Sequence, residues 1–209
     1  MKARIEGLYA LTPDIPDTAR LLALVKQALE GGAQAVQYRS KATDVALRHE
    51  QASELIELCH RYHVPLLVND DVRLAALTDA DGVHLGRDDA PLDEARINLG
   101  PKKIIGVSAY ADLERARHLA EAGADYVALG SFFSSPTKPQ APLCPLERLT
   151  EAKRVLTVPV VAIGGITPEN APGLIAAGAD ALAVISALFA APDVRLAAAR
   201  FASLFATRH

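Results

Sequence analysis

Seven times along this chain a short apolar run stops abruptly in polar or glycine residues. The endings are Gln37-Tyr38-Arg39-Ser40-Lys41, Asn69-Asp70-Asp71, residues 84–89, Ser108, residues 134–138, Gly164-Gly165 and Ile185-Ser186. Stretches of helical character separate them. Parallel strands need a crossover between them, usually a helix, and such strands, covered on both faces, read as continuous apolar runs. A chain built this way delivers every strand end to the same edge of the sheet. The seven endings are therefore expected to converge on one shared site.

The apolar periodicity predicts strands over residues 5–11, 33–38, 65–68, 82–85, 104–107, 126–129, 160–163 and 181–184. Helices are predicted over residues 17–30, 44–62, 71–78, 92–98, 111–121, 146–156, 168–177 and 194–206, with a short extra helix after Ile185-Ser186. A local repeat supports the unit structure. Gly32-Ala33-Gln34, Ala80-Asp81-Gly82, Gly123-Ala124-Asp125 and Gly178-Ala179-Asp180 each close a helical segment before a strand. Glycine takes the left-handed conformation common after a helix, and alanine packs where room is short. Shared turn chemistry and an old internal duplication both account for the repeat. Eight units favour an α/β fold of the TIM (β/α)8 barrel type. The competitor is an open doubly wound sheet, but Tyr9-Ala10-Leu11-Thr12-Pro13 after the first strand has no glycine-rich nucleotide fingerprint.

At 209 residues, half of them apolar, the chain is expected to be a single barrel domain with a substantial core. The 22 Lys plus Arg against 25 Asp plus Glu include no basic tail or Arg-rich stripe, so nucleic acid is not an expected partner. No apolar stretch reaches membrane-spanning length and residues 5–11 follow no signal-peptide pattern, so a soluble, cytoplasmic protein is expected. Cys59 lies in a helical apolar pattern and is expected in the core. Cys144 lies in a loop, a position open to exposure. Homo-oligomer formation is left open by the sequence.

Chemistry is concentrated at the strand ends. Gln37, Arg39 and Lys41 alternate, so an extended chain projects them to one side. An amide can serve a heterocycle's donor and acceptor together, and the two cations suit phosphate oxygens; a solvated, capping loop explains the same triplet equally well. Asn69-Asp70-Asp71 and Asp88-Asp89 follow neighbouring strands and can bring carboxylates together for Mg²⁺, with phosphate completing its shell. Asp71 alternatively caps the next helix. His84, internal to its strand, reads as an oriented core or supporting group rather than a metal ligand. Residues 131–138, with Ser134, Ser135, Thr137 and Lys138, offer hydroxyls and an ammonium to phosphate. Gly164-Gly165 and Ile185-Ser186, after strands seven and eight, have the layout of a barrel phosphate site. The expected ligands thus have a highly charged group, such as a diphosphate, on one side of the mouth and a monophosphate on the other.

Together these residues resemble the thiamine-phosphate synthase family, small barrel enzymes of thiamine biosynthesis. The resemblance covers nearly the whole chain, and its markers are Tyr9-Ala10-Leu11-Thr12, Gln37-x-Arg39-x-Lys41, Val68-Asn69-Asp70, His84-Leu85-Gly86-x-x-Asp89, Thr137-Lys138-Pro139 and Gly164-Gly165-Ile166-Thr167. It implies a transferase that joins the diphosphate of 4-amino-5-hydroxymethyl-2-methylpyrimidine to 4-methyl-5-(2-phosphoethyl)thiazole and releases diphosphate. By the same resemblance Gln37 recognises the pyrimidine, and Arg39, Lys41, Asn69 and Lys138 hold the diphosphate. Asp70 and Asp89 ligate Mg²⁺, and Ser108 stands at the reacting centre. Ser135 and Thr137 belong to the phosphate-binding loop, while Gly165, Ile185 and Ser186 hold the thiazole-linked phosphate.

The chain departs from the family pattern at Arg87, where Gln is usual, and at Tyr110, where many relatives have His. The second departure argues against a related thiazole tautomerase that uses a histidine there. That tautomerase, another phosphosugar-like barrel isomerase, and a noncatalytic thiamine-phosphate-binding regulator are the alternative functions.

Overall fold

A computed structural model describes residues 3–134 and 142–206. Eight parallel strands pair in sequence order and close: β1 (Gly7–Leu11), β2 (Ala33–Tyr38), β3 (Leu66–Asn69), β4 (Gly82–Leu85), β5 (Ile104–Tyr110), β6 (Tyr126–Leu129), β7 (Val160–Ile163) and β8 (Ala181–Val184). β8 returns to β1 through Gly7↔Ala181 to Ala10↔Val184. The covering helices are α1 (Thr18–Glu30), α2 (Val45–Arg61), α3 (Val72–Leu77), α4 (Leu92–Leu99), α5 (Leu113–Glu121), α6 (Leu146–Val155), α7 (Ala171–Ala176), α8 (Ser186–Phe189) and α9 (Val194–Ala206). The chain is a TIM (β/α)8 barrel, as the eightfold alternation predicts.

Two apolar clusters show how the period of two in each strand is used. Outward residues such as Leu8, Val36, Leu66, Val83, Ile105, Val127 and Leu182 pack with the helices. Inward residues form a separate core of Tyr9, Leu11, Ala35, Leu67, Ile104, Tyr126, Ala128, Val161, Ala181 and Ala183. The interior mixes two phenols with many alanines, because an eight-stranded ring leaves room for only a few large side chains per layer. Gly106 follows from the same limit. A Cβ there would land on the Tyr126 ring, so the glycine supplies the space that the phenol fills.

The repeat before the strands has a function that turn chemistry does not explain. Asp81, Asp125 and Asp180 precede β4, β6 and β8, and each carboxylate accepts the backbone N–H of the preceding strand: Leu66, Ile105 and Val160, all at 2.8 Å. Each also pairs with a cation or histidine from a helix: His60 at 3.0 Å, Arg96 at 2.6 Å and Lys153 at 2.6 Å. One aspartate thus ties two strands and a helix together at the closed end of the barrel. The first copy, Gln34, has no carboxylate and does not share this role.

Some expectations shift. β5 continues to Tyr110, beyond the predicted end at residue 107, because a register shift between Ser108 and Tyr110 preserves its pairing with β6. α7 starts at Ala171 rather than 168, after a turn in which Asn170 Oδ1 accepts the Thr167 N–H at 2.8 Å. Cys59 is buried as expected, but Cys144 is buried too, at 3 % exposure. Its N–H donates to Ser131 O at 2.7 Å, folding its loop against the segment after β6, and burial pushes its thiol up to about 11. Among the described residues no helix is long and apolar enough to cross a membrane.

Replacing Asp125 with Ala leaves the N–H of the fully buried Ile105 without its acceptor and is expected to cost about 2 kcal/mol in chemical denaturation. Asp79→Asn is the control, because asparagine tolerates the left-handed backbone of that position, φ 54°: the 2.5 Å Asp79–Lys103 contact sits on a side chain 91 % exposed, and water screening limits such a pair to about 0.5 kcal/mol. Equal losses in the two variants would refute the strand-tying role.

Candidate active site

The carboxyl ends of all eight strands open on one mouth, and the inward period of each strand decides which polar residue reaches it. Counting by two from buried Ala35, Leu67, Gly82 and Ile104 places Gln37, Asn69, His84 and Ser108 on the inward side. Gln37 is only 2 % exposed and donates from Nε2 to Tyr9 Oη at 2.8 Å. Tyr9 and Tyr126 hydroxyls meet at 2.9 Å, with their rings edge to face at 84°. His84 Nδ1 lies 2.8 Å from Tyr126 Oη, and its Nε2 lies 2.9 Å from Ser108 Oγ. Burial pushes both phenols up, so each remains protonated across the neutral range.

Sequence reasoning placed Gln37 and Ser108 at the site and His84 behind it. It missed Tyr9 and Tyr126 as their connection. The available signal was phase: a phenol on the inward side of a buried strand must find a polar partner inside the ring. Which partner it finds depends on strands far apart in sequence.

Beyond Gln37 the chain leaves the strand. Thr12 Oγ1 accepts the Arg39 N–H at 2.9 Å and donates to Arg39 O at 3.2 Å, fixing the backbone where the side chain departs. The Arg39 guanidinium lies close enough to Asp70 to favour the charged form of its carboxyl. Lys41 is exposed, its N–H held by Asp14 Oδ1 at 3.0 Å. The three residues therefore occupy three depths, from the barrel interior to the rim.

Asp70 and Asp89 come together as the sequence predicts. Asp70 takes a left-handed backbone, φ 63°, while its N–H donates to His84 O at 2.8 Å. Asn69 Nδ2 donates to Asp70 Oδ2 at 2.5 Å, and Asp89 Oδ2 accepts the Gly86 N–H at 2.6 Å. Desolvation first, and the adjoining Asp89 second, push the Asp70 carboxyl up from 3.8 to about 6. Asp71 does not join them; it caps α3 by accepting the Leu74 N–H at 2.8 Å and pairs with Arg48 at 2.6 Å. Among the described residues no three His, Cys, Asp or Glu side chains converge as a metal site. Two carboxylates forced into contact suit a hard cation that takes its other ligands from phosphate and water.

Across the ring, β7 and β8 end in the second group. Gly164 and Gly165 have φ of 106° and 61°, and a Cβ on Gly165 would collide with Ser134 O and Phe133. The close approach is built by Phe132 and Phe133, whose N–H groups donate to Ile163 O at 3.1 Å and Gly164 O at 3.0 Å. Ile185 is the residue before α8, and Ser186 opens that helix, whose first N–H groups lack helical acceptors. Ser135, Thr137 and Lys138 lie outside the described residues.

The two departures touch one another. The Arg87 guanidinium sits over the Tyr110 ring, 4.9 Å from its centroid, a distance that suits cation–π attraction. Tyr110 reaches that position from the β5 irregularity, with φ 59°. Arg115 Nε donates to Ser108 O at 3.1 Å beside the same irregularity.

Comparison with known proteins bears on the family of the whole chain. A family model described as thiamine monophosphate synthase matches residues 8–188. A thiamine-phosphate synthase of Thiobacillus denitrificans is 63 % identical over 200 residues, covering 96 % of this chain and 95 % of the relative. One from Nitrosospira multiformis is 52 % identical and covers 98 % and 87 %. The solved thiamine phosphate pyrophosphorylase from Pyrococcus furiosus superposes with a TM-score of 0.85 at 38 % identity, covering 95 % and 94 %.

The raised Asp70 carboxyl has a defined effect on stability. A folded-state value above the unfolded one favours folding at low pH and is lost as pH rises from 3.8 to about 6. In metal-free protein, thermal denaturation is expected to show this loss, and Asp70→Asn to flatten it. An unchanged pH slope in Asp70→Asn would contradict the carboxylate contact.

Proposed function

Because this chain belongs to the thiamine monophosphate synthase family, we propose that it condenses two phosphorylated heterocycles into thiamine phosphate. The substrates are 4-amino-5-hydroxymethyl-2-methylpyrimidine diphosphate and 4-methyl-5-(2-phosphoethyl)thiazole, and the second product is diphosphate. The observation that carries this reading is the division of the mouth. Asp70, Asp89, Asn69 and Arg39 gather at the ends of β2, β3 and β4, while Gly165 and Ser186 lie beyond β7 and β8 across the closed ring. A site with two separated anion regions fits two phosphorylated substrates meeting between them.

In this reading Gln37 binds the pyrimidine ring, and Arg39, Lys41, Asn69 and Lys138 hold the diphosphate. Asp70 and Asp89 are the residues that would hold Mg²⁺, and the chemistry the ion supplies there is neutralisation of charge on the departing diphosphate. Ser135 and Thr137 serve the phosphate-binding loop. Gly165, Ile185 and Ser186 receive the thiazole phosphate through backbone and hydroxyl donors.

The reaction is substitution at carbon. The bond from the pyrimidine methylene to oxygen breaks, and its electron pair leaves with the diphosphate. The electron-rich aminopyrimidine stabilises the developing methylene cation, so departure runs ahead of bond formation. The thiazole nitrogen then donates its lone pair to that carbon. Fixed cations such as Arg39 favour departure without rearranging, because they already face the charge that forms. Holding the thiazole by its phosphate places the nitrogen next to the cation before water can reach it. No covalent bond to the protein is required.

Purified protein with Mg²⁺ and both substrates is expected to form thiamine phosphate and diphosphate in equal amounts. Verified, folded protein that forms neither would end the synthase reading. Isomerisation of a thiazole phosphate precursor alone would favour the tautomerase. Replacement of Arg39 by Met is expected to lower kcat/KM for the pyrimidine diphosphate about a hundredfold, with KM for the thiazole phosphate changed by no more than about threefold. A parallel loss for both substrates would contradict the division of the mouth.

A further inference from the structure

The line of contacts from Gln37 to Ser108 has a direction. Its members come from β2, β1, β6, β4 and β5, and each link is short: 2.8 Å from Gln37 Nε2 to Tyr9 Oη, 2.9 Å to Tyr126 Oη, 2.8 Å to His84 Nδ1, and 2.9 Å from His84 Nε2 to Ser108 Oγ. The synthase reading gives roles to the two ends and none to Tyr9, Tyr126 or His84.

An amide NH₂ only donates, and a phenol carries one proton. The Tyr9 oxygen accepts from Gln37, and for the buried Tyr9 proton the acceptor within reach is Tyr126 Oη, at 2.9 Å. With Tyr126 accepting from Tyr9, the acceptor that remains for the Tyr126 proton along the line is His84 Nδ1, at 2.8 Å. A histidine whose Nδ1 accepts is the neutral Nε2–H tautomer, and its Nε2 donates to Ser108 Oγ. The Ser108 proton is left to point away from His84. An imidazolium would bring a second donor to the Tyr126 oxygen and leave the Tyr126 proton with no acceptor in the line. Burial keeps both phenols protonated, so neither can end the line as a phenolate.

We propose that Gln37, Tyr9, Tyr126 and His84 form a one-way hydrogen-bond relay that makes Ser108 a hydrogen-bond donor to the bound pyrimidine. The proposal rests on the synthase reading for the identity of that substrate. Tyr9, Tyr126 and His84 are positioning residues, acting through Ser108. The amide that reads the ring on one side of the barrel thereby sets the proton of the serine on the other. Turning the Gln37 amide over would reverse every link, and His84 would draw the proton from Ser108 as in a serine–histidine nucleophile pair. Such an oxygen beside a developing methylene cation would capture it in place of the thiazole nitrogen. The relay's direction keeps Ser108 a poor nucleophile where a good one would trap the enzyme.

Long-range ¹H–¹⁵N correlation spectra of the full chain, with the His84 signal assigned through its contacts to Tyr126, read the tautomer directly. Neutral His84 protonated on Nε2 is expected in the wild type. Protonation on Nδ1, or an imidazolium at neutral pH, overturns the proposal. In Tyr126→Phe the donor to Nδ1 is gone. The His84 signals are then expected to shift toward a mixture of tautomers, and kcat to fall about tenfold with KM for the thiazole phosphate within about twofold. Unshifted signals or wild-type kcat in that variant overturn the relay and leave the synthase reading intact. A wild type without synthase turnover defeats that reading instead, while its spectrum still decides the order of the protons.

Discussion

Closure of eight parallel strands leaves half of their side chains facing neither water nor a helix, and everything else in this molecule follows from that confinement. Apolar residues meet it by packing, with alanines and Gly106 giving way to Tyr9 and Tyr126. Polar residues on the same phase have two options only. They reach the mouth, as Asn69 does, or they satisfy one another inside the ring, as Gln37, Tyr9, Tyr126 and His84 do. An unpaired buried polar group costs more than a surface hydrogen bond contributes. The interior network is therefore continuous, and the Gln37 amide at its end is what gives it a direction.

Charge is treated differently at the two ends of the barrel. At the closed end each repeated aspartate faces a partner and a backbone N–H, so its charge is balanced within the fold. At the mouth Asp70 and Asp89 face each other, and part of that repulsion is carried by a raised Asp70 carboxyl. The same residue type thus ties strands at one end and is set against a second carboxylate at the other. The difference is the nearest ionisable side chain: His60, Arg96 or Lys153 at the closed end, a second carboxylate at the mouth. A carboxyl raised by burial and by a neighbouring carboxylate is a pattern shared by many sites that bind charged ligands.

Arg87 and Tyr110 show how two departures from a family pattern can form one feature. Each is a change in charge or ring chemistry when considered alone. In the fold, the β5 irregularity carries Tyr110 to the rim and places its ring beneath the Arg87 guanidinium. The pair lies next to Gly86 and Asp89, so the added cation is held against the protein beside the acidic group.

The order and number of strands, the place of Gln37 and Ser108 at strand ends, and the acidic endings at Asp70 and Asp89 were all legible in the sequence. Each depends on local periodicity or on the rule that parallel strands end at one edge. The strand-tying aspartates were visible as a repeat but not as a function, because their partners are the preceding strand's N–H groups and helix side chains. The burial of Cys144, the meeting of Tyr9 with Tyr126, and the stacking of Arg87 on Tyr110 were not legible at all. Tyr9 and Tyr126 are 117 residues apart, and no local preference encodes a contact at that separation. Sequence determined which residues could face inward or reach the mouth, through the period of each strand. Only closure of the ring decided which of them touch, because it brings together strands that share no turn.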